Sequence, residues 1–157
     1  MLLVLNRSEV ERLLPMSACI ALMREALAAR AQGLTVQPSR SAVRLPDGSG
    51  TMFTMPAHVG APAALGLKVI SVFPRNRQRG LDSHQGAVLC VDPETGEIQG
   101  LLEAGAVTAI RTAAVSALAT DLLANADAGD LAILGAGVQA RTHLEAIQSV
   151  RNLRRIR

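Results

Sequence analysis

One ten-residue segment constrains this chain more than any other: Leu131-Ala132-Ile133-Leu134, run directly into Gly135-Ala136-Gly137-Val138-Gln139-Ala140. The first four residues are continuously apolar, the pattern of a strand buried on both faces of a parallel sheet. The next six match G-x-G-x-x-A, and the residues after them read as a helix from Val138 to Val150. Each small residue has a mechanical reason. The first glycine allows the tight strand-to-helix turn, the second lets backbone approach a pyrophosphate, and the third position keeps helix and strand close. The helix start then offers free N–H groups and the positive end of its dipole. A dinucleotide site of Gly135, Gly137, Val138 and Gln139 is one reading of this turn, and an ordinary βα connection is the other. The acidic residue that separates NAD from NADP binding stands about 20 residues further on in such folds, past Arg157.

Upstream the periodicity changes. Ser8-Glu9-Val10-Glu11 has capping-box spacing and predicts a short helix. A second helix starts at Pro15–Ser17, carries Ile20, Met23 and Leu27 on its apolar face, and stops at Gly33. Arg40–Leu45, the Pro46-Asp47-Gly48 turn and Thr51–Met55 read as a β-hairpin. Leu67–Phe73 is another strand, Pro74–Ser83 a polar loop with three arginines, and Gly86–Val91 and Glu97–Leu102 are strands flanking the turn Asp92–Gly96. A long Ala/Leu-rich helix spans about 104–124, Asn125–Asp130 connects it to the glycine-turn strand, and Arg151–Arg157 reads as the approach to a further strand. The expected fold is an α+β domain with a mixed, largely antiparallel sheet, followed by the first βα unit of a Rossmann (α/β) domain.

Composition excludes several classes. Phe53 and Phe73 are the only aromatic residues among 157, which argues against base stacking on aromatic platforms. The net charge of +3 owes four positive charges to Arg151, Arg154, Arg155 and Arg157, and becomes −1 without them. That is a basic end rather than a basic binding face, so nucleic acid is not expected as a partner. Cys19 and Cys90 sit in apolar patterns and read as reduced, buried thiols. His58 and His143 have no companions at metal-ligand spacing, so no metal site is expected. No unbroken apolar run approaches a membrane span, and a cytoplasmic protein is the default expectation.

Charges in apolar patterns are the remaining signals. Arg111 is the only charge between Glu103 and Asp121, on a helix where Thr108, Thr112 and Ser116 form a hydroxyl stripe. It either holds an anion such as a carboxylate or reaches water or an internal partner. Lys68 shares a strand face with Ile70 and Val72, and is either an edge-strand gatekeeper or a site residue facing a substrate carboxylate. Asp82-Ser83-His84-Gln85 precedes a strand and reads as a solvated turn or a titrating site. Arg40 and Arg44 point to one face of the first hairpin strand.

In order along the chain stand Gly66-Leu67-Lys68-Val69, Phe73-Pro74-Arg75-Asn76, Ser83-His84-Gln85-Gly86, Asp92–Gly96, Thr108-Ala109-Ile110-Arg111-Thr112-Ala113-Ala114 and the turn Leu131–Ala140. Together they resemble the ornithine cyclodeaminase/mu-crystallin family, across nearly the whole chain. The resemblance implies that Arg40, Lys68 and Arg111 hold the carboxylate of the substrate, with Lys68 and Arg111 as the catalytic pair. It also implies that Met55 walls the substrate pocket, that Thr112 lies by the cofactor, and that Gly135, Gly137, Val138 and Gln139 bind the pyrophosphate of NAD or NADP. Implied activities are hydride transfer at the α-carbon of an amino acid or cyclic imine (pyrroline-2-carboxylate or ketimine reductase type), ornithine cyclodeamination, or binding without catalysis; a homodimer is implied too. Ornithine cyclodeaminases carry an acid two positions before the Met. Phe53 stands there, which favours an uncharged or cyclic substrate. The family's acid/base aspartate belongs to a C-terminal half beyond Arg157. The expected division is 1–125 as a substrate-binding and dimerisation domain, including the linking helix 104–124, and 126–157 as the start of an incomplete NAD(P)-binding domain. A fragment or truncated product without activity of its own is the accompanying expectation.

Overall fold

The computed structural model describes residues 1–157. Fourteen elements follow in order: β1 (Leu3–Leu5), α1 (Arg7–Leu13), α2 (Met16–Ala31), β2 (Thr35–Val36), β3 (Ser41–Arg44), β4 (Thr51–Gly60), β5 (Ala63–Val72), a 3-10 helix (Pro74–Arg79), β6 (His84–Val91), β7 (Ile98–Glu103), α3 (Ala104–Leu123), β8 (Asp130–Leu131), α4 (Val138–Gln148) and β9 (Arg155–Ile156). They form two compact units. One holds Met1–Val10 and Ala29–Ala106, the other Glu11–Ala28 and Val107–Arg157.

The first unit carries a seven-stranded sheet in the order β1-β7-β6-β5-β4-β2, with β3 also on β4. All pairs are antiparallel except β1 with β7, so the expected mixed, largely antiparallel sheet is present. Its spine is β4 against β5, paired without a break from Thr51↔Val72 to Gly60↔Ala63. The sequence pattern gives the first of these strands as Thr51–Met55. β4 nonetheless runs through Pro56. On its other edge β3 covers residues 51–54 and β2 residues 58–59, and Pro56 falls in the gap where no ladder donor is required. The Phe73 ring packs onto Gly50 so closely that a Cβ there would collide with it.

Helix α1 begins two residues before the expected capping box. Asn6 Oδ1 accepts the Glu9 N–H (3.1 Å) and Glu9 Oε2 accepts the Asn6 N–H (2.8 Å). Asn caps as well as Ser, and this register closes both bonds. The expected loop at 74–83 starts with the 3-10 helix, stopped by Gly80 at φ 70°. Glu103 closes the start of α3, accepting the Gly105 and Ala106 N–H groups at 2.7 Å each. Arg7 steadies that carboxylate from 3.5 Å and bonds Asp82 at 2.9 Å. The Asp82 hydrogen bond chiefly raises the affinity of Arg7 for its proton.

The second unit packs α2, α3 and α4 around Met16, Cys19, Ile110, Ala113, Ala114, Ala117, Ala146 and Ile147. Helix α3 corrects the expectation about membrane spans. Ala104–Leu123 is long and apolar enough to cross a membrane by length and composition. A search for unbroken runs misses it because Arg111 interrupts the run while the alanines and leucines keep the mean hydropathy high. Ala113, Ala114 and Ala117 are fully buried here, so α3 serves as a core helix. Both cysteines are free, Cys19 buried and Cys90 half-buried. β8 pairs in parallel with β9, and the Ile133 N–H to Arg157 carbonyl bond (2.7 Å) extends that pairing. The start of a second parallel strand is thus formed, but β8 is shorter than the expected strand Leu131–Leu134, and Ala132 and Leu134 are exposed rather than buried, because only β9 pairs with β8 in this two-stranded sheet.

Arg151 accounts for part of the basic end. Its side chain is 9% exposed, and Nη2 donates to the carbonyls of Thr120 (2.8 Å), Asp121 (3.1 Å) and Ala124 (3.2 Å) at the end of α3. The Asp121 and Ala124 carbonyls are ones the helix end leaves without a backbone donor, and the Thr120 carbonyl also accepts the Ala124 N–H (3.0 Å). Arg151→Ala is expected to lower stability by about 2 kcal/mol, read as a shift of the urea midpoint, whereas Arg157→Ala, exposed at the chain end, should leave it unchanged.

Candidate functional site

The first unit gathers one group of expected site residues. β5 lies between β4 and β6, so Lys68 is on an interior strand and the edge-gatekeeper reading fails. Its cross-strand neighbours are Met55 and Val88, and those of Phe53 are Ala42 and Ile70. Directly opposed residues share a face, and alternation along each strand places Phe53, Met55, Lys68, Ile70 and Val88 on the same one. Lys68 and Met55 are half-buried. Arg40 stands just before β3 and sets its guanidinium carbon 5.7 Å from the centroid of the Phe53 ring, bringing it to the face that bears Lys68. None of the chain's ion pairs involves Arg40. Arg44, opposite Thr51, alternates onto the same face.

The second unit holds the other group. Arg111 is exposed on α3 and takes part in no ion pair. Burial pushes the Cys19 thiol up, and the charge of Arg111 acts in the opposite direction. Next to it, Thr112 Oγ1 is buried with no hydrogen-bond partner, an orphaned hydroxyl that the protein does not itself satisfy.

The glycine turn has two different glycines. Gly135 sits at φ 108°, a conformation L side chains rarely adopt. Gly137, the N-cap of α4, has φ −83° and ψ −171°, extended backbone open to any residue, with no side-chain cap. A Cβ on either glycine would meet nothing within 4 Å. Nothing inside the chain therefore requires glycine at 137. An open groove of about 400 Å³ runs along this turn, lined by Leu131, Ile133, Gly135, Gly137, Gln139 and His143 among others. Uncapped helix start, open glycines and orphaned Thr112 hydroxyl together fit a phosphate-bearing ligand.

His143 is a residue that sequence reasoning does not place at the site. Its Nδ1 lies 2.7 Å from the Gln139 carbonyl and its Nε2 3.1 Å from Ser116 Oγ. A carbonyl only accepts, so Nδ1–H donates to it, while Nε2 lies within hydrogen-bond reach of the Ser116 hydroxyl, which itself also donates to the Thr112 carbonyl (3.3 Å). The imidazole thereby ties the first turn of α4 to α3. Only the i, i+4 spacing from Gln139 hints at this. His84 is exposed, beside Ser83 Oγ at 3.2 Å, but it does not sit in a turn before the strand: it opens β6 opposite Val72, with Gln85 opposite Ser71.

A sequence model of the ornithine cyclodeaminase/mu-crystallin family matches residues 2–157. The chain belongs to that family. Within it, the chain is 36% identical over 155 residues to a Delta(1)-pyrroline-2-carboxylate reductase of Bacillus cereus, covering 99% of this chain and 48% of that relative. The solved Delta(1)-pyrroline-2-carboxylate reductase of Thermococcus litoralis, in complex with NADH and L-proline, superposes with a TM-score of 0.93 at 37% identity, covering 98% of this chain and 48% of that one. An archaeal alanine dehydrogenase dimer with bound NAD superposes with a TM-score of 0.91 at 28% identity, covering 98% and 47%. The chain thus spans about half the length of the family members it matches, and the expected α+β domain with the opening of a Rossmann unit is the fold they share with it.

The two glycines separate experimentally. Gly135→Ala is expected to cost about 1–2 kcal/mol of stability through its positive φ, measured by urea denaturation, and Gly137→Ala should leave the melting curve where it is.

Proposed function

We propose that this chain provides the carboxylate-binding face and the pyrophosphate-binding turn of an NAD(P)-dependent oxidoreductase acting at the α-carbon of an amino acid or cyclic imine, with pyrroline-2-carboxylate as the substrate class. The observation that carries this reading is Lys68: a half-buried ammonium on an interior strand, on the face to which Arg40 brings a guanidinium without an ion-pair partner. Two cations on one largely apolar face suit a small carboxylate whose remaining surface is hydrocarbon. Met55 forms the apolar floor beside Lys68. The family resemblance assigns Arg111 to the same carboxylate, and its exposed, unpaired guanidinium is in the state anion binding requires.

On this reading residues 1–125, with helix 104–124 as the link, form the substrate-binding and dimerisation domain, and 126–157 open the dinucleotide-binding domain. Gly135, Gly137, Val138 and Gln139 hold the pyrophosphate through backbone N–H groups, and Thr112 gives its unpaired hydroxyl to the cofactor. A bound nicotinamide supplies the hydride. What the residues of this chain add is orientation: fixing the carboxylate removes rotational freedom that hydride transfer would otherwise have to lose. Reduction of the imine adds a hydride to carbon and a proton to nitrogen. Phe53 leaves no carboxylate for the side-chain amine of ornithine, so the reductase reading is favoured over cyclodeamination. A cytoplasmic homodimer completes the proposal. Val36, Val43 and Met52 are exposed on the sheet face opposite Lys68, apolar surface that a second copy would cover.

Calorimetric titration of the chain with L-proline and with NADH tests this directly. Both are expected to bind. Lys68→Ala should weaken L-proline at least about tenfold, the loss of one charge-assisted contact, and leave NADH unchanged. Gly137→Ala should do the reverse. Loss of NADH absorbance with pyrroline-2-carboxylate marks a reductase. Turnover of ornithine without that loss would replace it by the lyase, and no binding of either ligand would overturn the assignment.

A further inference from the structure

The contact between Arg40 and Phe53 has a role that neither residue has alone. Arg40 lies outside β3, on the connection from β2, and is exposed. A guanidinium there has several rotatable bonds and no carboxylate partner, so nothing electrostatic within the chain fixes its direction. The Phe53 ring does. It is half-buried on β4, held between Ala42 and Ile70, and the Arg40 guanidinium carbon stands 5.7 Å from its centroid. At that range the ring quadrupole attracts the cation without neutralising it. The planar fork keeps its N–H donors for an outside acceptor. Phe53 also shares its sheet face with Lys68, two residues beyond it along the strand direction through the pair Met55↔Lys68. The ring therefore aims one cation toward the face of the other.

We propose that Phe53 is a positioning residue for substrate binding, holding Arg40 oriented and uncommitted so that its guanidinium and Lys68 address one carboxylate. The inference rests on the function proposed above. A carboxylate in place of the ring would sit within reach of Arg40 and pair with it, removing the fork from the substrate. An aliphatic residue would leave the fork undirected. The aromatic side chain at 53 thus selects for carboxylate substrates whose side chain carries no charged group, and does so through Arg40 rather than by touching the carboxylate itself.

The test is a double-mutant cycle read by calorimetry on the whole chain, with L-proline and NADH as the probes. Phe53→Leu is expected to raise the dissociation constant for L-proline about fivefold, the size of one cation–π contact, and to leave that for NADH unchanged. Phe53→Tyr, which keeps the ring, should restore the affinity, and Phe53→Glu should weaken it by more than Phe53→Leu does. In an Arg40→Ala background Phe53→Leu should have no further effect, because the two residues act as one unit. Phe53→Ile serves the same comparison if the leucine variant folds poorly. Unchanged L-proline affinity in Phe53→Leu, or an effect that persists in full without Arg40, overturns the positioning role while Lys68→Ala still reports on the function. Failure of the unsubstituted chain to bind L-proline overturns both.

Discussion

The unbroken pairing of β4 with β5 is the constraint on which the rest of the first unit depends. Ten residue pairs fix which side chains share a face. A slip of one residue would send Phe53, Met55 and Lys68 to opposite sides and leave a lysine ammonium facing whatever the other side packs against. Interior position supplies the second half of the constraint. With β6 on one side of β5 and β4 on the other, Lys68 cannot swing around a sheet edge into water, and its charge remains beside Met55 and Val88. Arg40 reaches the same face only because β3 pairs with the first half of β4 and stops where Pro56 begins its gap.

In the second unit the corresponding constraint is the close approach of α3 to its neighbours, made possible by alanines. Ala113, Ala114 and Ala117 present so little side chain that Met16, Cys19 and Ile147 can pack directly on the helix. Arg111 and Thr112 are then carried on a helix with one buried alanine face rather than on a loop. The helix's last carbonyls are closed by Arg151, and His143 joins its Ser116 to the first turn of α4. Each of these contacts restrains the segment that leads into and out of the glycine turn, while the turn itself remains open.

Much of this was legible from local pattern. The glycine turn, the long helix, the Asp92–Gly96 turn and the antiparallel character of the sheet all follow from spacing and turn chemistry, which act within a few residues. What was not legible depended on partners far along the chain. β1 and β2 are three and two residues long, too short for a period, and exist because β7 and β4 offer them an edge. The α1 cap shifted to Asn6 because two caps competed within three residues and only geometry chose between them. The same holds for His143, which carries no motif and whose meaning is a hydrogen bond 27 residues away.

Lys68 and Phe53 mark the division most clearly. The sequence alone determined that a lysine sits in an apolar strand, that a phenylalanine stands two positions before Met55, and that a helix opens on glycines. These are statements about residue type and spacing, fixed by local sterics and hydropathy. The tertiary structure decided that the strand is interior, that Phe53 lies under Arg40, and that Gly137 is glycine without any internal need. Strand order, cross-strand register and the empty space beside a backbone are properties of chain segments brought together from a distance, and no local pattern encodes them.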